Sequence, residues 1–131
     1  MITLEEFKKV DIVVGKILQA EKIPDADKLL KLSVDLGPKR FSSENLSAEH
    51  SAELNVLGDE RDIRQIVSGI SLYFPDCSVL VGKKCMFVAN LEPRVIRGVE
   101  SQGMILAVSA LDGKFSLLEP NDEISVGTRA K

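Results

Sequence analysis

An all-β fold, a small five-stranded barrel with short helices, is what this sequence predicts, and three observations predict it. Apolar residues recur at every second position in runs bounded by Gly, Pro and Asp. Helical signals are confined to short segments. The chain has 131 residues, 44% hydrophobic and 28% charged, a composition that suits one folded domain spanning 1–131 rather than a disordered chain.

The elements follow in order. Thr3 with Glu6 three residues later is a capping-box signature for a helical turn over Leu4 to Lys8. In the first strand Val10, Ile12, Val14, Leu18 and Ala20 fall on one face, with Asp11 and Gln19 on the other. Gly15 interrupts that run, as a glycine does where a strand bulges. A turn at Pro24-Asp25-Ala26-Asp27 leads into strict alternation. Leu30, Leu32, Val34 and Leu36 point one way and Lys31, Ser33 and Asp35 the other, until Gly37-Pro38. Ile63 to Ser68 forms the third strand. The stretch 38–62 between strands two and three is long for a hairpin connection and reads as an inserted acidic loop, with a helix over Ala48 to Leu57. Pro75 to Leu80 forms another short helix. Lys84 to Ala89 reads as a strand buried on both faces, Gly103 to Ala110 as a fifth, and Lys114 to Leu118 as a short sixth after the Asp112-Gly113 turn. Strands at these intervals, with a helix before the fourth, fit a closed barrel of the OB type.

Catalytic and metal chemistry find little support. Cys77 and Cys85 are too few for a disulfide framework, lack Cys-x-x-Cys spacing, and have only His50 to join them as soft ligands. Asp25 and Asp27 suit a turn in which carboxylates bond their own backbone. There is no Gly-x-Ser-x-Gly frame and no glycine-rich phosphate loop, so neither a catalytic site nor a cofactor is expected. No apolar run approaches the ~20 residues that span a bilayer, and the start of the chain lacks a basic-then-apolar layout. A cytoplasmic protein without a membrane partner is expected.

The net charge of −3 is unevenly spread. Residues 42–60 hold five of the 20 acidic residues and no Lys or Arg, leaving 17 basic against 15 acidic residues elsewhere. Local field rather than total charge steers a polyanion, so a nucleic-acid partner stays open. The segment from Asn90 to Met104 carries Arg94 and Arg97 three apart, with Asn90, Ser101 and Gln102 around them. Guanidinium forks match phosphate, and the amide and hydroxyl groups suit sugar or base edges. Met104 offers an adaptable apolar contact. The same residues also suit a solvated connecting loop. With no Trp, one Tyr and five Phe, stacking on single strands is weakly supported, and folded RNA is the better partner.

At this segment the chain resembles the tRNA-binding OB domain found at the C-terminus of many methionyl-tRNA synthetases and in standalone proteins. The matching motifs, in order, are Phe7 to Ile12 with Val14 to Ile17, Pro24 to Leu29, Arg64 to Ile70, Leu80 to Lys84, Asn90-Leu91 with Pro93-Arg94, Arg97-Gly98, and Glu100 to Met104. The resemblance implies an OB barrel that binds tRNA by shape, without sequence specificity, as an accessory domain or subunit of methionyl-tRNA synthetase or a standalone tRNA-binding protein. It implies a homodimer, and a synthetase catalytic chain as a further partner. Carried over by position, the tRNA contacts fall on Asn90, Arg94, Arg97, Ser101 and Met104, with Lys28 and Lys84 beside them.

The chain departs from the family's pattern at Val13, where Arg is frequent, at Ile23, where His is, and at Glu92 and Val95, where Lys is common. Glu92 exchanges a positive for a negative charge beside the expected phosphate site. These departures keep two alternatives in view: a dimeric export chaperone like the related CsaA group, and a dimerisation module with weakened RNA binding.

Overall fold

The computed structural model describes residues 1–39 and 60–131; His50 and the expected helix at Ala48 to Leu57 lie outside them. A four-residue helix, α1 (Leu4–Phe7), carries the predicted capping box, with the Thr3 hydroxyl accepting from the Glu6 N–H at 3.1 Å. The strands are β1 (Ile12–Ile23), β2 (Ala26–Pro38), β3 (Arg61–Ser68), β4 (Lys84–Val88), β5 (Arg94–Ile96), β6 (Val99–Ser101), β7 (Met104–Ile105), β8 (Ala107–Ser109) and β9 (Phe115–Leu117). The main sheet is antiparallel in the order β3-β2-β1-β4-β7, while β5-β6 and β8-β9 are separate hairpins. This is the OB architecture the strand spacing predicts.

Period-two alternation succeeds on β2. Leu30, Leu32 and Val34 are fully buried and Leu36 nearly so, packed on Phe87, Ile66 and Leu80 in one core. Each such side chain gains about 1.5–3 kcal/mol from burial. The turn before β2 has Pro24 followed by Asp25 at φ 62°, the arrangement of a type II turn.

On β1 the expected inner face is corrected. Val13 and Ile17 are fully buried in the core; Val14, of the expected set, is also buried but outside that core cluster, and Val10 and Leu18 are 41% and 37% exposed. Ile12, Val13 and Val14 are apolar in succession, so hydropathy alone does not choose a face there. Register does. Residues 12–16 pair with β4 and residues 16–23 with β2, and the C-terminal segment covers the other edge near Val14. The Val14 N–H donates to the Thr128 carbonyl at 2.9 Å, and the Ala130 N–H to that of Ile12 at 2.8 Å. The bulge falls between Ile17 and Gln19 rather than at Gly15, returning Ala20 to the core side. Gly15 serves close packing instead: a Cβ there would lie 2.7 Å from the Phe87 ring and 2.8 Å from Leu36.

Three further expectations are refined. Pro75 to Leu80 is a 3-10 helix over Cys77–Leu80, capped by the Asp76 carboxylate accepting from the Ser78 N–H at 3.1 Å, and a second 3-10 helix covers Ser71–Tyr73. In β4 Cys85, Phe87 and Val88 are buried, but Lys84 and Met86 are only half-buried. The expected fifth strand is divided, because Met104–Ile105 continues the sheet while Ala107–Ser109 turns outward to pair with β9.

β3 is the edge of the sheet, and an unpaired edge exposes backbone groups. Here the edge is satisfied largely by side chains from the far end of the sequence. The Val67 N–H donates to the Ser101 hydroxyl at 3.0 Å, the Gln65 N–H to the Gln102 side-chain carbonyl at 3.0 Å, and the Gln102 N–H to the Gln65 carbonyl at 2.8 Å. Arg64, held by Asp62, donates across the seam to the Ala89 carbonyl and to the Gln102 carbonyl. Gly103 permits the crossing, since a Cβ would lie 3.0 Å from the Val88 carbonyl oxygen.

Candidate nucleic-acid interface

The segment between β4 and β7 is a built hairpin rather than an open loop. Arg94 pairs with Ser101, Val95 with Glu100 and Ile96 with Val99. Arg97 and Gly98 form its tip with φ 52° and 78°, left-handed at both central positions as a type I′ turn requires. Glycine adopts that conformation freely; arginine does so at a cost. The hairpin is fastened by Ile96 and Val99, which pack on Ile23, Ala26, Leu29 and Val67 in a second, smaller apolar cluster outside the barrel core. The arginines are therefore carried on an anchored support, not on a free loop.

Two clefts flank that support and share Ile96. One, of about 520 Å³, is lined by Leu91, Glu92, Arg94, Ser101 and Met104. The other, of about 480 Å³, is lined by Asp25, Asp27, Lys28 and Arg97. Arg94 and Arg97 are exposed, and among the described residues neither makes an ion pair, whereas Arg61, Arg64 and Arg129 are each held by a carboxylate. A guanidinium without an ion pair keeps its full fork of donors for a ligand, although Asp25 and Asp27 place two negative charges in the cleft that Arg97 shares with Lys28.

The expected contact residues divide accordingly. The structure brings Arg94, Ser101 and Met104 to the first cleft, and Arg97 and Lys28 to the second. Ser101 is 5% exposed, and its hydroxyl accepts from Val67 and donates to the Gly103 carbonyl at 3.1 Å. Asn90 lines neither cleft; its side chain clamps the segment after α1, accepting from the Asp11 N–H at 2.7 Å and donating to the Lys9 carbonyl. Lys84 sits four residues along β4 from Val88, about 13 Å away, and donates to the Asp122 and Ile124 carbonyls at 2.6 and 2.9 Å. Lys28 beside Arg97 was legible only through the first-turn motif. Ile96 and Val99 as the anchor were missed; the apolar alternation around Arg97-Gly98 was the available signal.

Among the described residues no group of three His, Cys, Asp or Glu stands where it would hold a metal ion, and no helix is long and apolar enough to cross a membrane.

Comparison with known proteins gives concordant results. Residues 12–53 and 47–129 match the tRNA_bind family model, described as "Putative tRNA binding domain". The chain is 37% identical over 130 residues to methionine–tRNA ligase of Chloroherpeton thalassium and 41% identical over 128 residues to that of Methanosphaerula palustris. These matches cover 99% and 98% of the chain but 15% of each ligase. Among solved structures, a MetRS related protein from Pyrococcus horikoshii is 36% identical with a TM-score of 0.76, covering 100% of this chain and 98% of that one. The chaperone CsaA of Bacillus anthracis shares the fold, with a TM-score of 0.72 at 24% identity over 100% of this chain and 99% of that one.

Proposed function

The chain belongs to the tRNA_bind family, and from that premise we propose that it binds tRNA through the β5–β6 hairpin, recognising folded shape and phosphate geometry rather than sequence. The observation that carries this reading is the pair of exposed guanidinium groups at Arg94 and Arg97, free of ion pairs among the described residues and borne on a hairpin packed onto the barrel. Lys28 lines the second cleft together with Arg97, and Met104 adds apolar surface in the first. Phosphate contacts of this kind give affinity and register. In this reading the domain is accessory: it raises the affinity of a methionyl-tRNA synthetase catalytic chain for tRNA, as part of it or as a separate subunit, or acts as a standalone binder. The bonds made by Asn90 and Lys84 within the fold favour supporting roles for both.

Pairing of two copies is part of the same proposal. Its support is exposed apolar surface on the 3-10 helices and beyond, where Leu72, Val79 and Val81 are 66%, 53% and 50% exposed. Light scattering at a mass of two chains is the expected result; a single-chain mass refutes pairing.

The binding reading is tested by tRNA titration against salt for the parent, Arg94→Ala and Arg97→Ala. Both variants lose affinity, and each lost phosphate contact lowers the salt slope by about 0.7–0.9. Unchanged affinity in both variants, or no binding by the parent, overturns the proposal.

A further inference from the structure

The cleft beside β5 holds two opposite charges that the fold itself does not use. Glu92 and Arg94 both line it, and among the described residues neither makes an ion pair or side-chain hydrogen bond. Its other walls include Leu91, Ile96 and Met104. A carboxylate facing a phosphate is repulsive, because phosphate at neutral pH offers acceptors and no donor of its own. A nucleobase is different. Guanine presents two N–H donors on one edge, N1–H and N2–H, and two acceptors, O6 and N7, on the next. Those edges match the two acceptor oxygens of a carboxylate and the donor fork of a guanidinium. Cytosine offers one amine donor, adenine one, and uracil a single ring N–H. The Met104 thioether and Leu91 supply apolar contact to the flat faces of a ring. Unpaired bases turned out of a folded RNA are what such sites accept.

We propose that this cleft takes one unpaired guanine base of a bound tRNA, with Glu92 accepting from N1–H and N2–H and Arg94 donating to O6 and N7. The inference rests on the tRNA-binding reading and amends it at this cleft: Arg94 reads one base, phosphate contacts are left to Arg97 and Lys28, and Glu92 becomes a specificity residue instead of a misplaced charge.

The test is chosen so that charge and base recognition predict opposite signs. Affinity for a tRNA transcript is measured at fixed salt for the parent, Glu92→Gln and Glu92→Lys. Guanosine and inosine 5′-monophosphates are titrated separately while the Met104 methyl signal is followed by NMR. Glu92→Lys removes a negative charge and adds a positive one, yet it is expected to bind tRNA about tenfold more weakly, with Glu92→Gln similar. In the parent, the inosine nucleotide, which lacks the N2 amine, requires about tenfold higher concentration than the guanosine nucleotide to move the Met104 signal. Tighter tRNA binding by Glu92→Lys, or equal titration of the two nucleotides, overturns the guanine site while leaving tRNA binding intact. Failure of the parent to bind tRNA overturns the family-based reading, and the nucleotide titration still decides the base preference of the cleft.

Discussion

Ser101→Ala separates two roles for one hydroxyl. At this position the sequence suggests an RNA contact, whereas the barrel uses the same oxygen to satisfy its edge strand. The Val67 N–H, on a residue 6% exposed, has the Ser101 oxygen at 3.0 Å as its partner, and the hydroxyl in turn donates to the Gly103 carbonyl at 3.1 Å. Alanine removes both bonds, and a methyl group brings no acceptor in their place. Leaving a buried donor unsatisfied costs about 1–3 kcal/mol, so a total near 2 kcal/mol is expected. With urea slopes of about 1–3 kcal/mol/M for a small domain, the midpoint falls by about 1 M. The slope itself stays the same, because the surface exposed on unfolding is unchanged. Arg94→Ala, on the same rung of the hairpin, serves as the control: its side chain is exposed and unpaired, so stability moves by less than about 0.5 kcal/mol. The expected pattern is thus a stability loss at Ser101 and an affinity loss at Arg94. A Ser101→Ala protein as stable as the parent but with weakened tRNA binding refutes the closure argument.

Gly15→Ala places a methyl group 2.7 Å from the Phe87 ring and 2.8 Å from Leu36. A loss of about 1–3 kcal/mol is expected in urea unfolding, and Phe87→Leu in the same chain recovers part of it; parental stability in the single variant would show that the ring moves freely. Burial, and secondarily the Glu119 carboxylate, push the Cys85 thiol up to about 11 from its ordinary value of 9.0. The folded state therefore holds this proton more tightly than the unfolded chain does. Its contribution is complete below pH 9 and is lost as pH rises through 11, so the urea midpoint of the parent drops towards that of Cys85→Ala over this range. A midpoint difference independent of pH up to 11 contradicts this linkage. Lys39 and Glu60 lie side by side, with the Lys39 N–H donating to the Glu60 carbonyl at 3.0 Å and an ion pair at 2.9 Å. Replacing residues 40–59 with Asn-Gly, a two-residue hairpin turn, is expected to keep the fold and cooperative urea unfolding. Loss of cooperative unfolding would show that the removed segment belongs to the core.

The sequence by itself determined the strand-rich barrel, the β2 face, the capped first helix and the arginine pair. These rest on local signals: alternation from Leu30 to Leu36, Thr3 with Glu6, and charge spacing at 94 and 97. Tertiary structure alone decided which side of β1 points inward, because Ile12, Val13 and Val14 are equally apolar and only pairing with β4 and the C-terminal segment distinguishes them. It also decided that Ser101 and Gln102 close the edge of β3, more than thirty residues earlier in the chain, and that Asn90 and Lys84 bond to backbone of other segments. A polar side chain carries the same hydrogen-bonding groups whether it faces solvent or a distant strand. Which backbone group comes within 3 Å of it is a property of the folded chain.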